Sequence, residues 1–169
     1  ANGVRIRAIL DLIPYGEDWR RAGEYLKQVL GDIGIKLELR YEDVPTWLKR
    51  IYHNYDFVMN VNYFYQLPDP VLGVHRHYGT DQIRKGTHFV NSSRYSNSEL
   101  DELLASGATE ANAQKRTQIY KKIQEILARD MPVVNLFELQ FLTVYNTKLK
   151  GAYNSALGAY ASFSEAYLD

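Results

Sequence analysis

Four histidines, His53, His75, His77 and His88, are the side chains best suited to ligate a metal or move a proton near neutral pH. His75 and His77 stand two apart near the end of a stretch with helical signals, a spacing that turns their imidazoles to different faces. No His-Glu-x-x-His motif, cysteine pair or carboxylate cluster accompanies them, so they read as surface or hydrogen-bonded side chains. The serines invite a Ser-His-Asp triad, but no Gly-x-Ser-x-Gly elbow presents a nucleophile. Gly31, Gly34, Gly73 and Gly79 fit neither glycine pattern that cradles a nucleotide phosphate. The run Tyr63-Phe64-Tyr65-Gln66 is different: three rings and an amide supply apolar walls with a donor and an acceptor, which suits a polar organic solute. Alternation alone also lets Tyr63 and Tyr65 continue the buried stripe of Met59 and Val61.

These residues must be held by regular elements, and the patterning supplies them. Val4, Ile6, Ala8, Leu10 and Leu12 alternate with Arg5, Arg7 and Asp11, which predicts a strand over 4–12 with Asp11 on the polar face. Pro14 and Gly16 break it. Trp19, Ala22, Leu26, Val29, Leu30 and Ile33 form one stripe of a helix over 17–31, with Glu17 and Asp18 in the first turn where the macrodipole favours them. Gly31 or Gly34 is its stop. A second alternating strand over 35–42 completes a βαβ unit, so the two strands should be parallel with a right-handed crossover.

Pro45 opens a short helix with Trp47, Leu48, Ile51, Tyr52 and Tyr55. A third strand over 56–65 turns Phe57, Met59, Val61, Tyr63 and Tyr65 one way and Asn60 and Asn62 the other. The aromatic run thus lies where a strand leaves the sheet, the place where ligands gather in open α/β folds. Asp69 suits an N-cap and Pro70 the first position of a short helix reaching about Tyr78. Residues 79–94 form a long polar loop, of a length that is usually functional, in which Asn91 and Arg94 read as water-facing.

Ser96-Asn97-Ser98-Glu99 has capping-box spacing and predicts a helix over 97–107. Another helix over 113–129 carries Ile119, Ile123, Ile126 and Leu127, with Pro132 beyond its end. Val133–Phe137 and Phe141–Tyr145 read as two short strands, and the tail from Gly151 as irregular. Trp19, Trp47 and Ile123 are assigned to the core.

Composition narrows the function classes. The chain has 169 residues, with 20 Lys plus Arg against 20 Asp plus Glu. Zero net charge supplies no field for phosphates, so nucleic-acid binding is disfavoured. No apolar run nears the ~20 residues of a membrane span. The absence of cysteine removes disulfides and thiolate chemistry. Fourteen tyrosines, against six Phe and two Trp, suit partly wet binding surfaces. The start Ala-Asn-Gly-Val-Arg fits a processed protein or a piece of a longer one.

The order of elements and the residues at their junctions resemble the carboxy-terminal part of the family 5 extracellular solute-binding proteins. The matching stretches are Ile33-Gly34-Ile35-Lys36-Leu37, Asp56-Phe57, Asp69-Pro70 and Tyr95-Ser96-Asn97-Ser98-Glu99-Leu100-Asp101-Glu102-Leu103-Leu104. Arg116 with Tyr120 and Asp130-Met131-Pro132-Val133-Val134 complete them, over about Val4 to Gly151. The resemblance implies an α/β lobe of the type II periplasmic-binding-protein kind, a mainly parallel sheet flanked by helices. Residues 1–169 would be the carboxy-terminal lobe of a two-lobed protein whose amino-terminal lobe is absent.

That family captures peptides, nickel complexes and some sugars between its lobes and delivers them to ABC permease subunits. The resemblance therefore implies a periplasmic, or extracellular and lipid-anchored, component for a peptide-like or sugar-like solute. It implies no catalysis, cofactor, metal, nucleic acid or membrane insertion. The family's cleft residues precede its Asp-Pro, which selects Tyr63, Tyr65, Gln66 and Asp69 as ligand-binding residues. Peptide-binding members place a Trp, and then an Asp for the peptide's ammonium, before the Asp-Pro; here those positions hold Tyr63 and Gln66. The alternative is a stand-alone interaction module or small hydrolase with a similar α/β core.

Overall fold

The computed structural model describes residues 5–140, 142–153, 155 and 157–169. Val4 and Phe141, each placed in a strand by the sequence pattern, lie outside the described residues. Strand β1 (Ile6–Leu12), helix α1 (Glu17–Asp32) and strand β2 (Ile35–Arg40) form the expected unit. β1 and β2 pair in parallel, from Ile6 opposite Ile35 to Asp11 opposite Arg40. Strand β3 (Met59–Val61) joins the other edge of β1, also in parallel, giving the order β2-β1-β3.

Two corrections to the strand pattern follow from this order. β1 is central, so at its carboxyl end Leu10, Asp11 and Leu12 are all buried, and strict alternation fails. β3 is shorter than the predicted 56–65. Asn62 is the cause: its amide nitrogen donates to the Tyr52 hydroxyl at 2.6 Å and its Oδ1 accepts from the Tyr63 N–H at 2.9 Å. An asparagine that bonds its own neighbouring backbone competes with the ladder.

Helix α2 (Val44–Leu48) starts from an Asp43 cap, whose Oδ1 accepts from the Thr46 N–H at 2.8 Å, and passes into a π-helical turn over Lys49–Asn54. Beyond Asp69 lie a 3₁₀ turn (Pro70–Leu72), helix α3 (Val74–Tyr78) and another 3₁₀ turn (Thr80–Gln82). Within the long loop Asn91 is buried rather than water-facing, its amide donating to the carbonyls of Gly79 at 3.1 Å and Tyr95 at 2.9 Å. Arg94 lies over the Tyr55 ring.

Helix α4 (Ser98–Thr109) is capped by Asn97, not Ser96: Asn97 Oδ1 accepts from the Leu100 N–H at 3.1 Å, while the Ser96 hydroxyl accepts from Thr80. Helix α5 (Ala113–Asp130) follows an Asn112 cap. Strands β4 (Leu149–Lys150) and β5 (Tyr167–Leu168) form a small antiparallel pair. The strands expected over 133–137 and 141–145 are not formed among the described residues. Their apolar side chains Val134, Phe137, Leu142 and Val144 are exposed.

Two apolar clusters organise the molecule. The first joins Leu10, Leu12 and Ile13 to Trp19, Leu37, Trp47, Ile51, Tyr52, Val61 and Val90. The second joins Leu100 and Leu104 of α4 to Ile123 and Ile126 of α5, with Val74, Tyr78 and Tyr95 against them.

Asp11 sits at the first cluster's edge, 1% exposed. Arg40 Nη2 donates to its Oδ2 at 3.1 Å, Arg40 Nε lies 2.7 Å from Oδ1, and Arg50 Nε is 3.7 Å away. Arg50 also forks onto Glu42, at 2.9 and 2.6 Å, and reaches Asp56. Burial raises the Asp11 pKa, while its bond to Arg40 and the charges of Arg40 and Arg50 pull it down.

Removing one partner of a buried pair typically costs about 3–5 kcal/mol. Arg40 and Arg50 keep 27% and 21% of their side chains exposed, which favours the low end. Asp11→Ala should destabilise the fold by about 3 kcal/mol in urea unfolding. Asp11→Asn should cost less, because burial already opposes the charge; a loss equal to that of the alanine variant would contradict this account.

Candidate functional site

The carboxyl ends of β1 and β3 carry the site. β1 continues through an Ile13 N–H bond to the Val61 carbonyl at 3.1 Å, and the chain then turns at Pro14-Tyr15-Gly16 into α1. Gly16 adopts φ 111° and ψ −169°, a region essentially reserved for glycine, and this turn leaves Tyr15 at the rim. The Tyr15 ring meets Tyr63 edge-on, with centroids 5.8 Å apart. Tyr63 also lies 5.7 Å from Trp19, and Trp19 lies 6.1 Å from Phe137. Trp19 is buried, Tyr63 half-buried and Tyr15 41% exposed, so the group grades from core to solvent. Burial, and the neighbouring Tyr63, push the Tyr15 phenol up, which keeps it a neutral donor.

The predicted site residues fall on this rim and on the segment leaving it. Tyr65 is exposed and meets the ring of Tyr160 edge-on at 6.2 Å, which brings the carboxy-terminal tail alongside. Gln66 is exposed, and its Nε2 lies 3.0 Å from His77 Nδ1. The Gln66 amide rests over Gly73, where an added Cβ would displace it. His77 is 3% exposed and sits beneath Phe64, with ring centroids 3.6 Å apart. Burial first, and then the Arg76 charge, lower its pKa to about 3, so it is neutral at pH 7. Donation from Gln66 leaves the ring proton on Nε2, which has no partner among the described residues.

Asp69 does different work. Its Oδ1 accepts from the Val71 N–H at 2.9 Å and from Arg116 Nη2 at 2.7 Å, and the Arg116 bond is the main cause of its lowered pKa. Arg116 Nε also donates to the Gly107 carbonyl at 2.9 Å. Asp69 thus joins the segment after β3 to both α4 and α5, and its charge is already balanced.

The structure gathers Tyr63 with Tyr15, Trp19 and Phe137, and Gln66 with Phe64 and His77. Tyr15, Phe137 and Tyr160 were missed in the sequence, and Trp19 was assigned to the core alone. The available signal was an aromatic residue between Pro14 and Gly16 at a strand's carboxyl end. Phe137 and Tyr160 arrive from distant segments and left no local mark.

No protein-family model matches the chain. Over 151 residues it is 24% identical to the peptide transport periplasmic protein SapA of Haemophilus influenzae, a match covering 87% of this chain and 26% of SapA. The chain thus spans about a quarter of that relative's length. Among solved structures, AppA of Clostridium difficile superposes with a TM-score of 0.77 at 24% identity, over 96% of this chain and 33% of that one. A periplasmic oligopeptide-binding protein of Thermotoga maritima, solved with mannohexaose bound, gives 0.67 at 22% identity, over 75% of this chain and 24% of its own. The fold is therefore the periplasmic-binding-protein-like α/β lobe with a parallel sheet. By their names the Haemophilus relative is a periplasmic peptide-transport protein and the Thermotoga one a periplasmic oligopeptide-binding protein of an ABC transporter, the kind of protein the sequence resembles.

His77 makes the site's lock pH-dependent. The unfolded chain takes up this proton near pH 6.5, and the folded chain only near pH 3. Between those values the unfolded state holds more protons, so stability falls as pH falls, by up to about 1.4 kcal/mol per pH unit. Chemical denaturation from pH 6 to 4.5 should show this slope in the wild type and a shallower one in His77→Gln. Equal slopes would remove His77 from the account.

Proposed function

We propose that this chain is part of the substrate-binding protein of an ABC importer, contributing the carboxy-terminal lobe of a two-lobed clamp that hands its solute to permease subunits. The observation that carries the reading is the graded aromatic rim of Tyr15, Trp19 and Tyr63 at the carboxyl ends of two parallel strands, beside the locked Gln66 amide. Ligands of open α/β sheets bind at that edge. The curated relative is a periplasmic peptide-transport protein, which supports a place outside the cytoplasmic membrane. No helix among the described residues is long and apolar enough to cross a membrane. The role in this reading is binding: rings and an amide converge here, as a site for a polar organic solute needs.

Tyr63, Tyr65 and Gln66 meet the solute in this reading. Asp69 shapes the floor and presents no unbalanced charge, because Arg116 neutralises it. A neutral amide at Gln66 can donate and accept, but it cannot compensate a buried ammonium, which needs a partner at several kcal/mol. The solute is therefore a sugar, a capped or cyclic peptide, or another polar organic molecule rather than a peptide held by its free α-amine. The oligosaccharide in the Thermotoga protein is a precedent for such a ligand on this fold.

Calorimetry of the full-length protein with unmodified and amino-acetylated di- and tripeptides tests this. Any peptide that binds should lose less than about threefold on acetylation, whereas a carboxylate-held ammonium would lose more than a hundredfold. Tight binding abolished by acetylation would show that a carboxylate performs the ammonium role. The 169-residue chain alone should bind the same solute at least about a hundredfold more weakly than the full-length protein, since one face of a clamp cannot bury its ligand. Equal affinities would mean that the site is complete without another lobe.

A further inference from the structure

Two histidines take no part in the proposed solute site, and they face each other. His53 Nε2 and His88 Nε2 are 3.1 Å apart, although the residues are separated by 35 positions in sequence. Their rings are tilted by 53° with centroids 5.3 Å apart, so the nitrogens converge while the rings do not stack. Both side chains are exposed, and water or a further ligand can reach the space between them.

The backbone on both sides brings this meeting about. His53 lies in the π-helical turn Lys49–Asn54, a wide turn that recurs at functional sites. The next residue back, Tyr52, is buried, and its ring packs against His88 and Phe89 with centroids 5.8 Å away in each case. The Tyr52 carbonyl accepts from the Gly86 N–H at 2.8 Å and fastens the second loop to the turn. Within that loop Gly86 has φ 86° and Phe89 φ 56°. A left-handed phenylalanine is uncommon and persists where its surroundings over-determine it. A Cβ at Gly86 would make only an ordinary contact with the His53 ring, at 3.4 Å, so it is the positive φ that calls for glycine there.

Two imidazole nitrogens bound to one ion at ~2.0–2.1 Å are separated by about 2.9 Å at a right angle and about 3.3 Å at a tetrahedral angle. The observed separation lies between these values. We propose that His53 and His88 form a bidentate surface site for a divalent transition-metal ion of the imidazole-preferring group, Cu²⁺ before Ni²⁺ and Zn²⁺. Neutral imidazole is a good donor to all three, and copper leads the affinity order for a nitrogen pair. Among the described residues no third His, Cys, Asp or Glu completes a cluster, so the other coordination positions belong to water or to a donor brought by another molecule. The competing arrangement is a hydrogen bond between two neutral rings, which needs a proton on one Nε2 and leaves no lone pair for a metal there.

Copper alone is the probe. The full-length wild-type protein, His53→Gln and His88→Gln are titrated with Cu²⁺ by calorimetry, and the bound ion is read by electron paramagnetic resonance. The exposed positions make both variants compatible with folding, and circular dichroism checks it. Each variant should lose one equivalent of Cu²⁺ and its nitrogen hyperfine signature, and the double variant should lose no more than either single one. His75→Gln should retain the full stoichiometry. Unchanged binding in either His53→Gln or His88→Gln, or no saturable binding by the wild type, would overturn the proposal and leave a ring-to-ring hydrogen bond.

Discussion

A carboxylate in the middle strand of a sheet has few tolerable neighbours, and Asp11 dictates much of what surrounds it. Its charge is out of water, and only a cation at the same level can answer it. Arg40 is that cation because it stands opposite Asp11 in the β1–β2 register. A slip of one residue would take Arg40 away from Asp11, leaving it only the more distant Arg50, and turn the strand's apolar residues the wrong way. The pair therefore selects the register as well as closing it. Arg50 adds a second cation from the π-helical turn and is steered in turn by Glu42 and Asp56. These contacts draw the segment over 44–54 onto the sheet, where Trp47, Ile51 and Tyr52 complete the first apolar cluster.

The aromatic rim inherits its order from that arrangement. Tyr52, once seated, receives the Asn62 amide and ends β3 early, so the chain leaves the ladder with Tyr63 directed at Trp19 and Tyr15. Farther on, the Asp69–Arg116 pair ties this exit to α4 and α5, whose apolar cluster is otherwise separate from that of the sheet. Ring contacts set the site's inner wall, and hydrogen bonds set its outer edge. Shape there is held by packing against Trp19, while the Gln66 amide is held by one neutral imidazole.

What could be read in the sequence was local. Period two and period 3.6 located β1, α1 and β2, a capping-box spacing one residue early located α4, and the stripe of Ile119, Ile123 and Ile126 located α5, because neighbouring residues alone create those signals. Asp69-Pro70 announced its turn for the same reason. Errors came where distant residues decide. Asp11 looked water-facing because Arg40, 29 positions away, is invisible to a local pattern. Asn91 looked exposed because its acceptors are carbonyls of other turns. The apolar residues over 133–145 have strand propensity, but propensity without a partner edge makes no ladder. Tyr63, Tyr65 and Gln66 are neighbours in sequence and so could be grouped from it, while Tyr15, Phe137 and Tyr160 enter from other stretches of chain.

That unladdered stretch has a consequence for the lifetime of the molecule. Proteases bind their substrates as extended chain, adding them as a strand to their own clefts. Residues over 134–140 belong to no helix or strand, and Val134, Leu136 and Phe137 are exposed, so a protease could take up this stretch without first pulling it from a sheet. A cut there would spare the sheet and the α4–α5 pair, whose contacts lie earlier in the chain, and would sever Phe137 and Tyr160 from the rim. Exposure of this stretch, rather than the stability of the sheet, therefore sets how readily a protease cuts the chain.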